Sequence, residues 1–504
     1  MIMNKLSKIL GVSLLAASLM SGTSAFATDS LLTERDFFSV STKAIDAEID
    51  KGATEADLNQ AVYLALRYGR DPKLIDHLLE KGADVDGVNE GNRAHIFNAT
   101  YYGTYEQLKA FLAHKPKLDV RDGDGRTPFL RSFYGQQDMR AIKLMLEVGF
   151  DPNATDIAGT NAVYTAAYRN ALPVVKFLVE ELGLDPLTTS ASSGENAIFR
   201  ATNGPDADEI IAYLREKGAD HKAISYSDQN IVSYMAERSR RSDHLELFKS
   251  FVADGISPHD KDEEGRDALL NAAYRNDDLD FIKYLVESGS DVNGVDKVGR
   301  DALNIAAYRN GEKVVKYFIA AGLDVNTPDN SGATALLWST THNNGSIKII
   351  KALLEAGADA GAVDDNGNNA VLNVVSRDVT SSTKTGSVKE ILELLVAAGA
   401  SLNATTEKGE TALIKAAQFG HHLDTLAYLI DNGLDVNAQN TYKLTPLMYA
   451  AMKATNVEVL EYLLSKGAAT DTVDDFGDTA VDLVKENELL QDSNALEVIQ
   501  AASK

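Results

Sequence analysis

Cysteine is absent from the 504 residues, and that removes disulfides, thiolate metal sites, cysteine nucleophiles and the lipid-modified cysteine of a bacterial lipoprotein. An excess of positive charge is absent too, since 74 acidic residues against 49 Lys and Arg give a formal charge of −25. Such a surface repels nucleic acid and anionic membrane. Long apolar runs are also missing. Ile9 to Met20 (ILGVSLLAASLM) falls short of the roughly 20 residues a membrane helix needs, and no later segment reaches that length. No Gly-rich phosphate loop, nucleophile elbow or metalloprotease motif occurs. None of the nine histidines has the i, i+4 spacing of a helical metal pair.

At the N-terminus, Lys5 and Lys8 precede that apolar run, and Ala25 and Ala27 flank Phe26 in SGTSAFA. This reads as a secretory signal cleaved after Ala27. The expected address is the bacterial periplasm, with full secretion as the second possibility. Loss of the two signal lysines takes the charge from −25 to −27, and the mature chain is expected to be soluble and monomeric.

Two stretches imitate chemistry. DKDEEGRDALLN (Asp260 to Asn271) places Asp260, Asp262, Glu264 and Gly265 as a calcium loop would, but Asn271 stands where the bidentate glutamate belongs. SSTKTG (Ser381 to Gly386) overlaps two motifs that penicillin-recognising enzymes hold on separate elements. Paired aspartates such as Asp364-Asp365 and Asp474-Asp475 recur at turns, where turn chemistry accounts for them. No catalytic set, metal site or cofactor is expected.

What the chain has in abundance is repetition. GRDALLNAAYRN (Gly265 to Asn276) and GRDALNIAAYRN (Gly299 to Asn310) agree at ten of twelve positions, and GTNAVYTAAYRN ends at Asn170. A Gly closes an apolar helix-like segment at Gly82, Gly149, Gly183, Gly218, Gly255, Gly289, Gly322, Gly357, Gly399, Gly433 and Gly467. From Gly149 onward the gaps are 33 to 37 residues, except for one of 42. The gap from Gly82 to Gly149 is two periods, with KPKLD (Lys115 to Asp119) in place of the missing glycine. Asp301 precedes the first helix of one unit, and its equivalents are Thr127, Asn161, Asn196, Asp267, Thr334, Thr411, Thr445 and Thr479, all residue types that cap helices. Arg93 breaks this rule, so its helix should begin less cleanly. In EKVVKYFIAAG, Val314, Val315, Phe318 and Ile319 share one face of a second helix.

These units, GLDVNTPDNSGATALL (Gly322 to Leu337), GASLNATTEKGETALIKAAQFG (Gly399 to Gly420) and GLDVNAQNTYKLTPLMYAA (Gly433 to Ala451), resemble the ankyrin repeat. The resemblance implies an all-α repeat solenoid of about a dozen stacked helix-turn-helix units joined by β-turn or hairpin loops. It would comprise a capping segment at 28–52, an array at 53–478 and closing helices at 479–504. The unit near 221–243 is divergent, and a polar insertion occupies 376–390. The family's Thr-Pro-Leu-His is nowhere intact, Thr445-Pro446-Leu447-Met448 being nearest, so the hydrogen bonds of that His are lost and looser units are expected.

In AAYRN the alanines suit close helix packing, and the Asn is expected to take the left-handed place of a loop glycine. Tyr and Arg fall at the end of the first helix, where the resemblance implies a variable concave surface. Aromatics and arginines are enriched at binding hot spots. Tyr68, Tyr102, Tyr134, Tyr168, Arg169, Tyr274, Arg275, Tyr308 and Arg309 are therefore the expected contacts for a protein partner. The competing reading is a self-stacking ladder of rings and guanidinium groups. The resemblance implies a non-enzymatic protein-binding module, serving as scaffold, chaperone, or inhibitor or immunity protein for an exported enzyme or toxin. An enzyme or small-ligand site in 221–243 or 376–390 is the rival.

Overall fold

The computed structural model describes residues 41–69, 71–89, 91–238, 244–341, 346–377, 388–420, 422–455, 457–491 and 493–502. The signal segment 1–27, the start of the N-terminal cap, residues 239–243 and most of the 376–390 insertion lie outside the described residues. The chain forms two compact units, 1–157 and 158–504. In the first, Thr42–Asp50 leads three helix pairs, from Glu55–Tyr68 with Lys73–Glu80 to Pro128–Ser132 with Met139–Val148. In the second, nine pairs run from the one that begins with Ala162–Arg169 to Pro446–Lys453 with Glu458–Ser465. Ala480–Lys485 and Ala495–Ala502 follow. Within each unit, first helices pack on first helices and second on second, so both are ankyrin-like stacks. Among the described residues there is no strand; isolated bridges such as Thr405 with Thr411 close some of the turns.

One repeat shows how the sequence dictates this. The Asp301 carboxylate accepts the Asn304 N–H at 2.8 Å and starts Ala302–Arg309. Ala306 and Ala307 are buried, and their small side chains let the helices approach. Val314, Val315 and Phe318 are buried on the second helix, each stabilising by about 1.5–3 kcal/mol. Ile319 is half-buried. Gly322, at φ +93°, then turns the chain where a side chain would be strained.

The hairpin preceding this helix is fixed by Asp296, which accepts the N–H groups of Val298 at 3.1 Å and Arg300 at 2.9 Å. This turn recurs at Asp122, Asp262, Asp329, Asp364 and Asp474. Several hairpins are also braced to a side chain nine residues on: Asp122 to Arg131 at 3.1 Å, Asp262 to Asn271 at 2.9 Å, Asp329 to the Trp338 indole at 3.0 Å, and Asn440 to the Tyr449 hydroxyl at 3.2 Å. Without the family's histidine, these contacts tie turn to helix.

The cap residues act as their type predicts at Thr127, Asn161, Asn196, Asp267, Asp301, Thr411, Thr445 and Thr479. Asn230 and Asn369 do the same and complete the series. Thr334 differs, because its buried hydroxyl oxygen has no hydrogen-bond partner. His95–Tyr102 starts without a side-chain cap, but the cap position falls at Ala94, one residue after the Arg93 expected there.

The Asn of AAYRN is not left-handed. Asn170, Asn276 and Asn310 have φ of −108°, −88° and −105°. Hydrogen bonding explains the choice. The Asn310 amide donates to the carbonyls of Ala272, Ala273 and Asn276 at 3.3, 3.0 and 2.8 Å, and Asn276 donates to Ala236 at 3.2 Å. These are carbonyls at the end of the preceding repeat's first helix, where the ladder of helix hydrogen bonds runs out. Gln107 and Asn487 make the same staple.

The repeat around 221–243 diverges in letters more than in shape. Ile231–Arg238 and His244–Ala253 form an ordinary pair. One inserted residue in an earlier repeat is taken up by the π turn Phe177–Glu181, as single insertions into helices often are.

Candidate partner-binding surface

Each Tyr and Arg singled out from the repeat lies at the end of a first helix, where the rings are half-buried. In the first unit, Arg67 lies over both Tyr68, at 5.0 Å, and Tyr102, at 4.9 Å, and Tyr102 meets Tyr101 edge-on at 4.4 Å. Tyr134 is covered by Arg126 at 5.2 Å. Its neighbour Phe133 is fully buried against Phe129 and belongs to the core.

In the second unit, Arg169 and Arg200 each lie 4.4 Å from the Tyr168 ring. Tyr274 is approached by Arg266, Arg275 and Arg309 at 4.8, 5.2 and 5.8 Å. Tyr308 sits under Arg309 at 4.9 Å and edge-on to Trp338 at 5.0 Å. The predicted residues thus form local clusters in which one repeat's cation covers another's ring. Cation–π pairs contribute roughly 0.5–1 kcal/mol when exposed and more when desolvated. Arg169 and Arg275 remain exposed.

Sequence reading missed several members. Arg126, Arg266 and Arg300 stand just before a helix cap, after Gly125, Gly265 and Gly299, and reach across to Tyr134, Tyr274 and Trp338. The signal was the recurring Gly-Arg, which heads two of the three strings that end in AAYRN and recurs at Gly125-Arg126. Arg200 and Tyr234 occupy a slot one turn before the Tyr/Arg pair. That slot also holds Arg131, Asn271, Trp338 and Tyr449, the residues that brace the hairpins. Where the ladder lapses at Thr202 and Asn203, Arg200 supplies a cation from this earlier turn.

The largest departure is in the divergent repeat. Glu237 and Arg238 take the Tyr and Arg slots there, and with Tyr168, Arg200, Asn203, Tyr234, His244 and Arg275 they line a groove of about 360 Å³. Arg238 lies 4.3 Å over the Tyr234 ring. Its ion pairs to Glu195 and Glu237 are long, 3.7 and 4.0 Å, and Arg275 stands 3.7 Å from Glu237. Burial, opposed by neighbouring cations, pushes the Tyr234 hydroxyl up and the Tyr164 hydroxyl up to about 12, so both rings stay neutral. Among the described residues, no cluster of three or more His, Asp or Glu is placed to hold a metal ion, and no helix is long and apolar enough to cross a membrane.

A family model described as Ankyrin repeats (3 copies) matches residues 134–225, 232–329, 269–364 and 381–474, together more than half of the chain. The E3 ubiquitin-protein ligase KEG of Arabidopsis thaliana is 25% identical over 232 residues, covering 44% of this chain and 14% of that protein. The putative ankyrin repeat protein L371 of Acanthamoeba polyphaga mimivirus is 22% identical over 244 residues, 47% of this chain and 31% of its own. The chain thus spans less than a third of these relatives' length. The human ASB11 ankyrin repeat domain matches with a TM-score of 0.40 and 25% identity, covering 47% of this chain and 99% of that domain. Stacked helix pairs, capped starts, glycine-closed ends and the match along most of the array establish that this chain belongs to the ankyrin-repeat family, whose repeats are protein–protein interaction modules.

Proposed function

We propose that this is an exported, non-enzymatic ankyrin-repeat protein that holds a partner protein on the face formed by the ends of its first helices. The observation that carries this reading is a contrast within the second unit. Repeats at 335–453 put Thr341, Ser376, Gln418 and Met452 in the slots where earlier repeats have Tyr168, Tyr274 and Tyr308. Both sets stack with the same caps and glycine ends. Stacking therefore does not require the Tyr/Arg pairs, and exposed Arg169 and Arg275 are available to a partner. Export rests on residues 1–27, and the mature protein should begin at Thr28, which N-terminal sequencing of the periplasmic form would read directly. Scaffold, chaperone and inhibitor or immunity roles all use such a surface.

The test is affinity capture from periplasmic extract by wild type and by a variant with Tyr134, Tyr168, Arg169, Tyr274, Arg275, Tyr308 and Arg309 changed to Ala, both first shown by circular dichroism to be folded. A partner held by wild type and lost by the variant is the expected result. Equal capture by both would refute this face as the binding surface.

A further inference from the structure

The groove around Arg238 is a cationic site in a chain of formal charge −25. Its lining carries Arg200, Arg238 and Arg275 against one acid, Glu237. The composition follows from two local substitutions. In most repeats the hairpin carries an Asp at the turn, but here the equivalents are Ser190 and Ser225, whose N–H groups close their turns on Glu195 and Gln229 at 2.9 Å. The turn-position acid is missing from two successive hairpins, though Glu195 closes the first of them, and the slot that hairpin acids brace elsewhere holds Arg200 and Tyr234.

The cations are oriented by rings as well as by acids. A guanidinium stacked flat on an aromatic face keeps its N–H donors in its own plane, directed sideways toward an incoming oxygen. The Arg238 guanidinium carbon lies 4.3 Å from the centre of the Tyr234 ring, while its carboxylate neighbours stand beyond hydrogen-bond length. Arg238 and Arg275 are 40% and 48% exposed at their side chains.

We propose that this groove is a carboxylate-recognition site that receives an acidic segment of the partner protein, Asp or Glu side chains engaging Arg238 and Arg275 while the segment's backbone lies against Tyr168. This deepens the protein-binding reading and rests on it. A carboxylate suits the site better than a phosphate because Glu237, with Glu195 behind Arg238, leaves the groove only weakly positive and would repel a dianion. The groove also has a half-buried aromatic flank, Tyr168, that a small inorganic ion would leave unused.

The test is fluorescence anisotropy of an acetyl- and amide-blocked hexaglutamate peptide with the full mature chain at about 0.1 M salt, where long-range repulsion by the acidic surface is screened to roughly 10 Å. Saturable binding is expected. Arg238→Gln and Arg275→Gln should each weaken it roughly ten-fold, a typical loss for one charge-assisted contact. Arg275→Lys should restore part, and Lys283→Gln, on an exposed second-helix face, should change nothing. Arg275 is exposed, so its variant serves even if Arg238→Gln misfolds. Inorganic pyrophosphate is the rival probe. Peptide binding that depends on the two arginines supports the site; absence of binding, equal loss in Lys283→Gln, or displacement of the peptide by pyrophosphate at lower concentration overturns it. The capture experiment uses the natural partner, so the protein-binding reading and the acidic-segment reading fail separately.

Discussion

The two compact units solve the same packing problem with different care for their polar groups. In the second unit, buried polar atoms without a hydrogen-bond partner are scattered one to a residue, Ser290 and Thr334 among them, and the hairpin acids are tied down. Asp296 takes two backbone N–H groups and the Arg300 guanidinium, at 2.9 and 2.7 Å. In the first unit, His95 and Asn98 sit fully buried on one helix, and no ring nitrogen of His95 or amide atom of Asn98 has a hydrogen-bond partner. That helix also lacks a side-chain cap. An unsatisfied buried polar group costs about 1–3 kcal/mol. The first unit should therefore open more readily, and hydrogen exchange should find its amides less protected than those of 268–341.

The largest effect is expected from breaking what makes the second unit tight. Asp296→Ala removes the hairpin acid and strands Arg300, itself buried, with Arg266 at 3.6 Å losing the same partner. Breaking a buried pair from one side costs roughly 4 kcal/mol. Arg300 also lies 5.2 Å from the ring of Trp338, the only tryptophan, so the urea midpoint read by Trp fluorescence should fall sharply. Asp296→Asn, which can still accept the backbone N–H groups, should recover part of the loss.

The comparison sharpens in acid. Burial holds His95 down at about 4, against an ordinary value of 6.5. The unfolded chain therefore takes up a proton first as pH falls. The stability associated with neutral His95 is complete above about pH 6.5, declines as pH drops toward 4, and levels off below that. The shift corresponds to about 3 kcal/mol. Other repeats fill this slot with buried Ala268, Ala302, Ala335 or Ala412, and Leu would keep much of the volume of the His95 ring without its unpaired nitrogens. His95→Leu should raise protection of the 95–102 amides at pH 5 and flatten its pH dependence; unchanged protection at both pH 7 and pH 5 would show that His95 is not the weak point.

The amide staples test whether the units share a mechanism. Asn310→Ala deletes three donated hydrogen bonds and Gln107→Ala deletes two. Each should cost about 2 kcal/mol, measured as a shift in thermal midpoint. A large loss in one variant and none in the other would mean the two units are stapled differently.

Period, helix pairs and most caps were legible because each depends on residue type at a fixed spacing. Thr127 or Asn161 caps a helix wherever it precedes one, and Gly322 ends one for the same local reason. The role of Asn310 was not legible. Its identity suggested a backbone preference, whereas its use depends on carbonyls 34 to 38 residues earlier, brought near only by stacking. The groove escaped for a related reason. Arg200, Tyr234 and Arg238 lie on successive repeats in slots that look unremarkable one repeat at a time, and only the loss of acids at Ser190 and Ser225 gives them a common character. Tyr168 and Arg275 were found because they recur in a quoted motif, while their partners follow no single motif.

The smallest expected effect tests the one place among the described residues where a left-handed residue at the end of a second helix is not glycine. Lys115 adopts φ +54° in the first unit, in the position that Gly82 and Gly149 fill in its neighbours at φ +108° and +107°. A side chain in that region costs roughly 1–2 kcal/mol, but glycine also makes the unfolded chain more flexible, which offsets part of the gain. Lys115→Gly should therefore stabilise the first unit by about 1 kcal/mol, seen as slower exchange of the 105–113 amides with no change in 268–341. Lys443 sits at φ +60° in a hairpin of the second unit, where its ammonium pairs with Asp475 at 3.0 Å, so Lys443→Gly should gain less. Equal gains at the two positions would mean that backbone strain alone sets the effect, and that pairing of exposed side chains does not distinguish the units.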